Sequence, residues 1–337
     1  MTKSAMTNKT FVQAINAGLH AEMERDERVL LVGLDVGRYG GLFTATQGIY
    51  DRFGSDRVFD TPISEAGFTG ASIGLAMEGF RPVVEIQFAD FATVAFDQIT
   101  TIAAKMRFLS GGATNVPMVI RMPFGVNVTE GGYMAGAGPH HSQSPEAWFC
   151  HCAGLKVVMP SDPADAKGLL QAAIRDDGPV MYFEQKGMYQ HVQGEVPDDD
   201  CVVPLGVAAV KREGTDLTIV ATGMMVEQSL LAAEELAGDG VSVEVVDPRT
   251  LVPLDREGIC ASVRKTGRAI VAHEAPMTGG VGAEIVATIA DGAFDALKAP
   301  VRRVAGFDSP VPATGDLLQL AIPNAARIVD AARGVLG

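Results

Sequence analysis

Cysteine is scarce in this 337-residue chain: four residues, at 150, 152, 201 and 260. They are too few and too irregularly spaced for a disulfide framework, so a reducing compartment, the cytoplasm, is expected. Cys150-His151-Cys152 lacks a second ligand pair at zinc-finger spacing; it reads as packing, and no metal site is assigned to the chain. Basic charge is also short. Twenty-seven Lys and Arg against 41 Asp and Glu leave a net charge of −14, which argues against nucleic acid or an anionic membrane as partner and favours a basic docking module. No apolar run approaches the roughly 20 residues of a membrane span, and residues 1–10 are polar without a signal-peptide core. Aromatics make up 6% of the chain, with a single Trp. In their place stand 38 glycines and a hydrophobic content of 47%, which suit a tightly turned α/β protein with a large core. The length points to about two domains.

Apolar periodicity predicts a helix over 11–23, a strand over 29–32, a glycine-rich loop at 37–41, a helix near 46–53 and a strand over 57–59. A glycine-rich helix after Glu65 leads to a strand at 83–86. A long helix over 95–109 precedes a strand at 117–120, and strand 155–159, helix 163–174 and strand 180–183 complete this half. Strands alternating with helices imply a mainly parallel sheet covered on both faces. The pattern breaks at 194–200, a stretch that reads as solvated linker. A second alternation follows: strand 217–221, helix 226–236, strands 241–246 and 269–272, a helix from about 281, strand 301–304 and a closing helix over 323–335. The expected domains are 1–195 and a smaller 204–337, joined by a linker at 196–203. Gly70 and Gly74, four apart on one helical face, suggest close approach of another helix at a subunit interface, since glycine inside a helix costs roughly 0.5–1 kcal/mol relative to alanine.

The stretch Asp60-Thr61-Pro62-Ile63-Ser64-Glu65-Ala66-Gly67 puts one carboxylate where a strand gives way to a helix. Apolar Ile63 and Phe68 beside it would leave the acid half desolvated, which raises its proton affinity and suits acid–base chemistry. Spacing alone leaves a second reading open: an acid in the first turn of a helix, where acids are welcome.

Several blocks carry a resemblance over nearly the whole chain and in family order. They are Leu31-Val32-Gly33-Leu34-Asp35-Val36 with Tyr39-Gly40-Gly41; Asp60-Thr61-Pro62-Ile63-Ser64-Glu65; Glu85-Ile86-Gln87-Phe88-Ala89-Asp90-Phe91; His141-Ser142-Gln143-Ser144-Pro145-Glu146; Val245-Val246-Asp247-Pro248-Arg249-Thr250-Leu251; and His273-Glu274-Ala275-Pro276. Together they resemble the beta subunit of the thiamine-diphosphate-dependent decarboxylating component of 2-oxoacid dehydrogenase complexes, of pyruvate, branched-chain or acetoin type. The resemblance implies a transketolase-like α/β fold, with a pyrimidine-binding domain followed by the family's C-terminal domain. It makes Glu65 the acid that hydrogen-bonds the aminopyrimidine ring of thiamine diphosphate and exchanges a proton with it. Ile63 and Phe91 become cofactor contacts, Phe91 by stacking on the ring; without the resemblance Phe91 reads equally as core beside Phe88 and Phe96. His141, chosen over His140 because Ser-Gln follows it, becomes the histidine that handles protons or orients substrate.

Half of such a site is missing. Thiamine enzymes hold the diphosphate through magnesium bound by Gly-Asp-Gly and an asparagine about 25–30 residues on, magnesium bridging phosphate to few protein ligands. Here Gly238-Asp239-Gly240 ends a predicted helix, and the only later asparagine is Asn324. The resemblance therefore implies that an alpha subunit carries Mg2+, in an α2β2 heterotetramer sharing the cofactor. It also implies a structural K+ and an acyltransferase core whose lipoyl domain receives the acyl group. The sequence departs from the family pattern in three places. Leu34 stands where an acid is usual, the stretch 125–140 is longer than expected, and Gln185 replaces a common Pro. Alternatives are an acetoin dehydrogenase beta subunit, the C-terminal subunit of a split transketolase, and a non-catalytic scaffold subunit. The Gln87-Phe88-Ala89-Asp90 and His273–Pro276 blocks lean toward the branched-chain branch.

Overall fold

The computed structural model describes residues 5–129, 132–133 and 137–337. They form two compact units, one of residues 1–124 and 148–205, the other of residues 125–147 and 206–337.

The chain begins with β1 (Met6–Thr10) and α1 (Phe11–Arg25), joined by a capping box in which Gln13 N donates to Thr10 Oγ1 and Thr10 N to Gln13 Oε1. There follow β2 (Val29–Gly33), α2 (Ile49–Phe53), β3 (Val58–Asp60), α3 (Glu65–Met77) and β4 (Arg81–Glu85), then α4 (Ala104–Leu109) and β5 (Val119–Phe124). Two short strands, β6 (Val128–Thr129) and β7 (Gly132–Tyr133), pair antiparallel. After them come α5 (Glu146–Cys150), β8 (Lys156–Val158), α6 (Pro163–Arg175), β9 (Val180–Gln185), α7 (Met188–His191) and β10 (Gln193–Pro197).

In the first unit the sheet runs β8-β9-β5-β4-β2-β3, with all of these pairs parallel. Every residue of β2, β5 and β9 is buried, as a parallel sheet covered on both faces requires. Pro123 is tolerated inside β5 because the ladder to β4 ends at the Glu85–Arg121 pair.

One expectation is refined and one changes. The helix expected over 95–109 is helical over 96–109, with a π-helical stretch, Gln98–Ala103, leading into α4. Its β-branched run Ile99-Thr100-Thr101-Ile102 is a poor helix former, and Thr100 Oγ1 bonds back to Phe96 O at 2.8 Å. Residues 193–197, in the stretch expected to be solvated, form β10, paired antiparallel with β1. The short polar pair left no apolar pattern to read.

The second unit contains β11 (Ala209–Arg212), β12 (Leu217–Ala221), α8 (Met224–Gly238), β13 (Val243–Asp247), β14 (Thr250–Val252), α9 (Arg256–Thr266), β15 (Ala269–Pro276), α10 (Gly282–Gly292), β16 (Arg302–Gly306), α11 (Gly315–Ala321) and α12 (Ala325–Leu336). Its sheet runs β11-β13-β12-β15-β16, parallel apart from β11. Val220, Val246 and Val271 of the sheet pack with Ile259, Val263, Ile285 and Ile289 of α9 and α10 in one buried cluster. Asp255 caps α9 through Gly258 N at 2.9 Å, and Gly267, at φ 75°, closes it.

Candidate active site

In the first unit the strand order turns at β2, whose neighbours β3 and β4 feed the segments carrying Glu65 and Phe91. Both residues therefore lie beyond the carboxyl ends of adjoining parallel strands, where open α/β sheets place their ligands. The turn before Glu65 is fixed by local bonds. Thr61 N donates to Gly33 O at 2.9 Å, and Asp60 Oδ1 accepts from Gly37 N at 2.7 Å. Ser64 Oγ donates to Pro62 O at 3.1 Å, so the N-cap hydroxyl is turned away from the helix amides.

Glu65 opens α3 and is half-buried. Its carboxylate makes no hydrogen bond or ion pair among the described residues. Of its two apolar neighbours, Phe68 is buried but Ile63 is 77% exposed. This chain alone therefore supplies only one side of the expected apolar surround. Phe91 lies in a 3-10 turn, Ala89–Thr93, and is half-buried. It belongs to a ladder of rings: Phe91 to Phe88 at 5.7 Å edge-on, Phe88 to Phe43 at 5.8 Å, and Phe43 to Tyr189 at 5.3 Å. Lys186 Nζ stands 5.4 Å from the Phe88 ring centre.

Below this ladder sits a charge cluster that the sequence reading missed. Arg121 Nε and Nη2 donate to Glu184 at 2.8 and 2.6 Å, Nη1 meets Glu85, and Tyr189 Oη donates to Glu184 Oε2 at 2.5 Å. Burial pushes the Glu85 carboxyl up; Arg121 opposes that, and the neighbouring Glu184 adds to it. Burial also lifts the Tyr189 hydroxyl well above its usual range. The available signal was charge inside otherwise apolar strands, Arg121 in Val-Ile-Arg-Met-Pro-Phe and Glu184 in Val-Met-Tyr-Phe-Glu-Gln, where charge is not buried unless paired.

His141 belongs to the second unit and is half-buried, its backbone N donating to Gly138 O at 3.3 Å; His140 is exposed. Ile63, Glu65 and Phe91 thus share the first unit, and His141 lies in the other. Part of the long loop ahead of His141, residues 130–131 and 134–136, lies outside the described residues.

Gly238-Asp239-Gly240 is a helix end: α8 stops at Gly238, Gly240 takes φ 81°, and the Asp239 carboxylate accepts from Arg333 at 3.0 Å. Among the described residues no group of three or more His, Cys, Asp or Glu could hold a metal ion, and all four cysteines are free. Cys152 Sγ lies 3.7 Å from Thr100 O and 3.8 Å from Lys105 Nζ, in keeping with packing. No helix among the described residues is long and apolar enough to cross a membrane.

Residues 7–192 match the transketolase pyrimidine-binding domain and residues 206–328 the transketolase C-terminal domain. The 2-oxoisovalerate dehydrogenase subunit beta of Bacillus subtilis (strain 168) is 48% identical over 305 residues, 90% of this chain and 91% of that protein. The pyruvate dehydrogenase E1 component subunit beta of Leifsonia xyli subsp. xyli is 48% identical over 319 residues, 95% and 92% of the two chains. Its Bacillus subtilis counterpart is 46% identical over 335 residues, 98% and 99%. Among solved structures, a split gene transketolase described as an inactive beta4 tetramer superposes with a TM-score of 0.78 at 23% identity, covering 97% of this chain and 98% of that one, and shows the shared fold. The chain belongs to the transketolase-fold family of 2-oxoacid dehydrogenase beta subunits.

Proposed function

We propose that this chain supplies the pyrimidine half of a shared thiamine diphosphate site, with Glu65 as the activating acid. The supporting observation is Glu65 itself, a carboxyl with no partner among the described residues, opening a helix beyond a parallel strand end. The residues present suit a flat, hydrogen-bonding heteroaromatic ring: a free carboxyl, the exposed side chain of Ile63, and the half-buried ring of Phe91. Bound thiamine diphosphate supplies the nucleophilic carbon and the electron sink that release of carbon dioxide from a 2-oxoacid needs. Glu65 holds and exchanges a proton with the pyrimidine, Phe91 stacks on it, Ile63 helps exclude water, and His141 handles protons near the substrate.

The magnesium and diphosphate half is assigned to an alpha subunit, because the one Gly-Asp-Gly of this chain is spent on ending α8. We place the two chains in an α2β2 assembly in the cytoplasm, passing acyl groups to a lipoyl domain on an acyltransferase core. The proposal includes a structural potassium ion on this chain, to be checked by elemental analysis of the purified assembly. The exposed glycine face of α3 supports an interface: a Cβ at Gly74 would meet nothing within 4 Å. The domain roles proposed are pyrimidine binding for 1–195 and the C-terminal domain for 204–337, with 196–203 between them.

Co-expression with the alpha partner and a decarboxylation screen over pyruvate, branched-chain 2-oxoacids and acetoin tests the reading. Branched-chain 2-oxoacids come first, on the strength of the Gln87-Phe88-Ala89-Asp90 and His273–Pro276 blocks. Ketol transfer between sugar phosphates without 2-oxoacid turnover would overturn it in favour of a split transketolase. An assembly indifferent to changes at both Glu65 and His141 would mark a scaffold.

A further inference from the structure

The stretch from His141 to Glu146 is tied into the second unit by hydrogen bonds around Gln143 and by the burial of Glu146. Glu274, near the carboxyl end of β15, accepts from Val126 N at 2.7 Å through Oε1. The adjacent Gly125 N donates to Gln143 O at 3.0 Å, two residues beyond His141. Ser144 Oγ donates to Glu146 Oε2 at 2.7 Å. Glu146 is 1% exposed and Glu274, on β15, 6% exposed, and the Glu274 charge acts on the Glu146 carboxyl. The other carboxyl oxygen of Glu146, Oε1, is buried with no hydrogen-bond partner among the described residues.

We propose that Glu146 and Glu274 are positioning residues for His141, fixing the stretch that carries it to the end of β15 with Glu146 held as the neutral acid. The inference rests on the reading of His141 as the residue that handles protons. A buried carboxylate with one bare oxygen is costly, whereas the protonated acid carries no charge to desolvate. Burial, chiefly, and then the Glu274 charge push the Glu146 carboxyl up to about 7, while the Ser144 hydroxyl partly offsets the rise. The groups facing it are the Glu274 carboxylate from β15 and the Ser144 hydroxyl from its own stretch. Loss of the Glu146 proton sets two carboxylates against each other in one dry site. The contacts on either side of Gln143 then loosen, and His141 loses its fixed place.

The test uses the reconstituted alpha–beta assembly, with wild type, Glu146→Gln, Glu146→Ala and His141→Ala. The readouts are the pH profile of 2-oxoacid turnover with an artificial electron acceptor and amide hydrogen exchange of residues 137–147, corrected for intrinsic rates. Glu146→Gln should keep kcat at neutral pH within about 2-fold of wild type and lose the alkaline decline, because the amide stays neutral. Glu146→Ala should lower kcat about 10-fold with KM little changed. In wild type, exchange should quicken by about 10-fold between roughly pH 6.5 and 8.5, and in Glu146→Gln it should not. An unchanged wild-type exchange rate across that range, or a Gln variant as impaired as the Ala variant, would overturn the proposal. A fully active His141→Ala signals instead that the reading of His141 is wrong, an outcome the exchange data distinguish.

Discussion

Arg121 grips both carboxylate oxygens of Glu184 at 2.8 and 2.6 Å, with the arginine and the glutamate each fully buried. Its third nitrogen reaches Glu85, so one guanidinium serves two acids under the aromatic ladder that includes Phe91. Bidentate geometry and burial make this a strong pair, and breaking it leaves uncompensated charge rather than merely removing a contact.

Arg121→Met should therefore destabilise the chain by about 3–5 kcal/mol at neutral pH. The deficit should shrink toward pH 5, because burial already pushes the Glu85 carboxyl up and Glu85 without its arginine takes up a proton readily. Urea melts at the two pH values check this. A deficit independent of pH would mean that lost packing, not stranded charge, dominates.

His273 is fully buried, and the turn leading into α10 leaves no room beside its ring: a Cβ at Gly280 or Gly282 would collide with the imidazole. Among the described residues neither ring nitrogen has a hydrogen-bond partner. Burial, helped by the charge of Arg303, lowers its proton affinity from 6.5 to about 4. Between those values the unfolded chain binds the proton and the folded one does not, so stability is lost as pH falls from 6.5 to about 4. A shift of that size corresponds to about 3 kcal/mol. His273→Leu should remove that part of the acid sensitivity. Parallel acid titrations of wild type and variant, followed by urea melts, would show it.

The glycine face of α3 makes a prediction about assembly. A Cβ at Gly74 would meet nothing within 4 Å among the described residues and the position is exposed, so the isolated Gly74→Leu subunit should fold and melt normally. Assembly should suffer, because the same side chain would stand where another helix is proposed to approach. Sedimentation velocity of the co-expressed pair reads this directly; a normal assembly with the leucine in place would remove α3 from the interface.

Some of this was legible in the sequence. Residues 29–32 and 180–183 announced buried parallel strands because both faces are apolar there. Thr10 and Asn324 cap helices that periodicity already predicted, and the closing helix begins at Ala325 because Asn324 accepts from Arg327 N at 3.0 Å; α9, which Asp255 caps, was not among the expected helices. The strand pair β1–β10 was not legible: it joins two polar segments 187 positions apart, Met6 facing Pro197 and Thr10 facing Gln193, and nothing local marks such a partnership. In the candidate site, Glu65 and Phe91 could be named from their motifs. That Ile63 projects into solvent could not, since periodicity does not say which apolar residue a single chain leaves uncovered. Glu184 was visible only as an odd charge in a strand, and its pairing with Arg121 across β5 and β9 needed the register.

If the cofactor site is shared, this chain purified alone should bind thiamine diphosphate poorly, and adding the alpha subunit should restore binding. Isothermal titration with and without the alpha chain measures both. Tight binding by the lone chain would show that the diphosphate half is present here after all.

The most direct test is turnover by Glu65→Gln in the reconstituted assembly, with 2-oxoacid decarboxylation followed through an artificial electron acceptor. The amide keeps the size of the side chain and can still hydrogen-bond, but it cannot exchange a proton. The account predicts normal folding and assembly with activity reduced by about 100-fold or more. Near-wild-type turnover would contradict it.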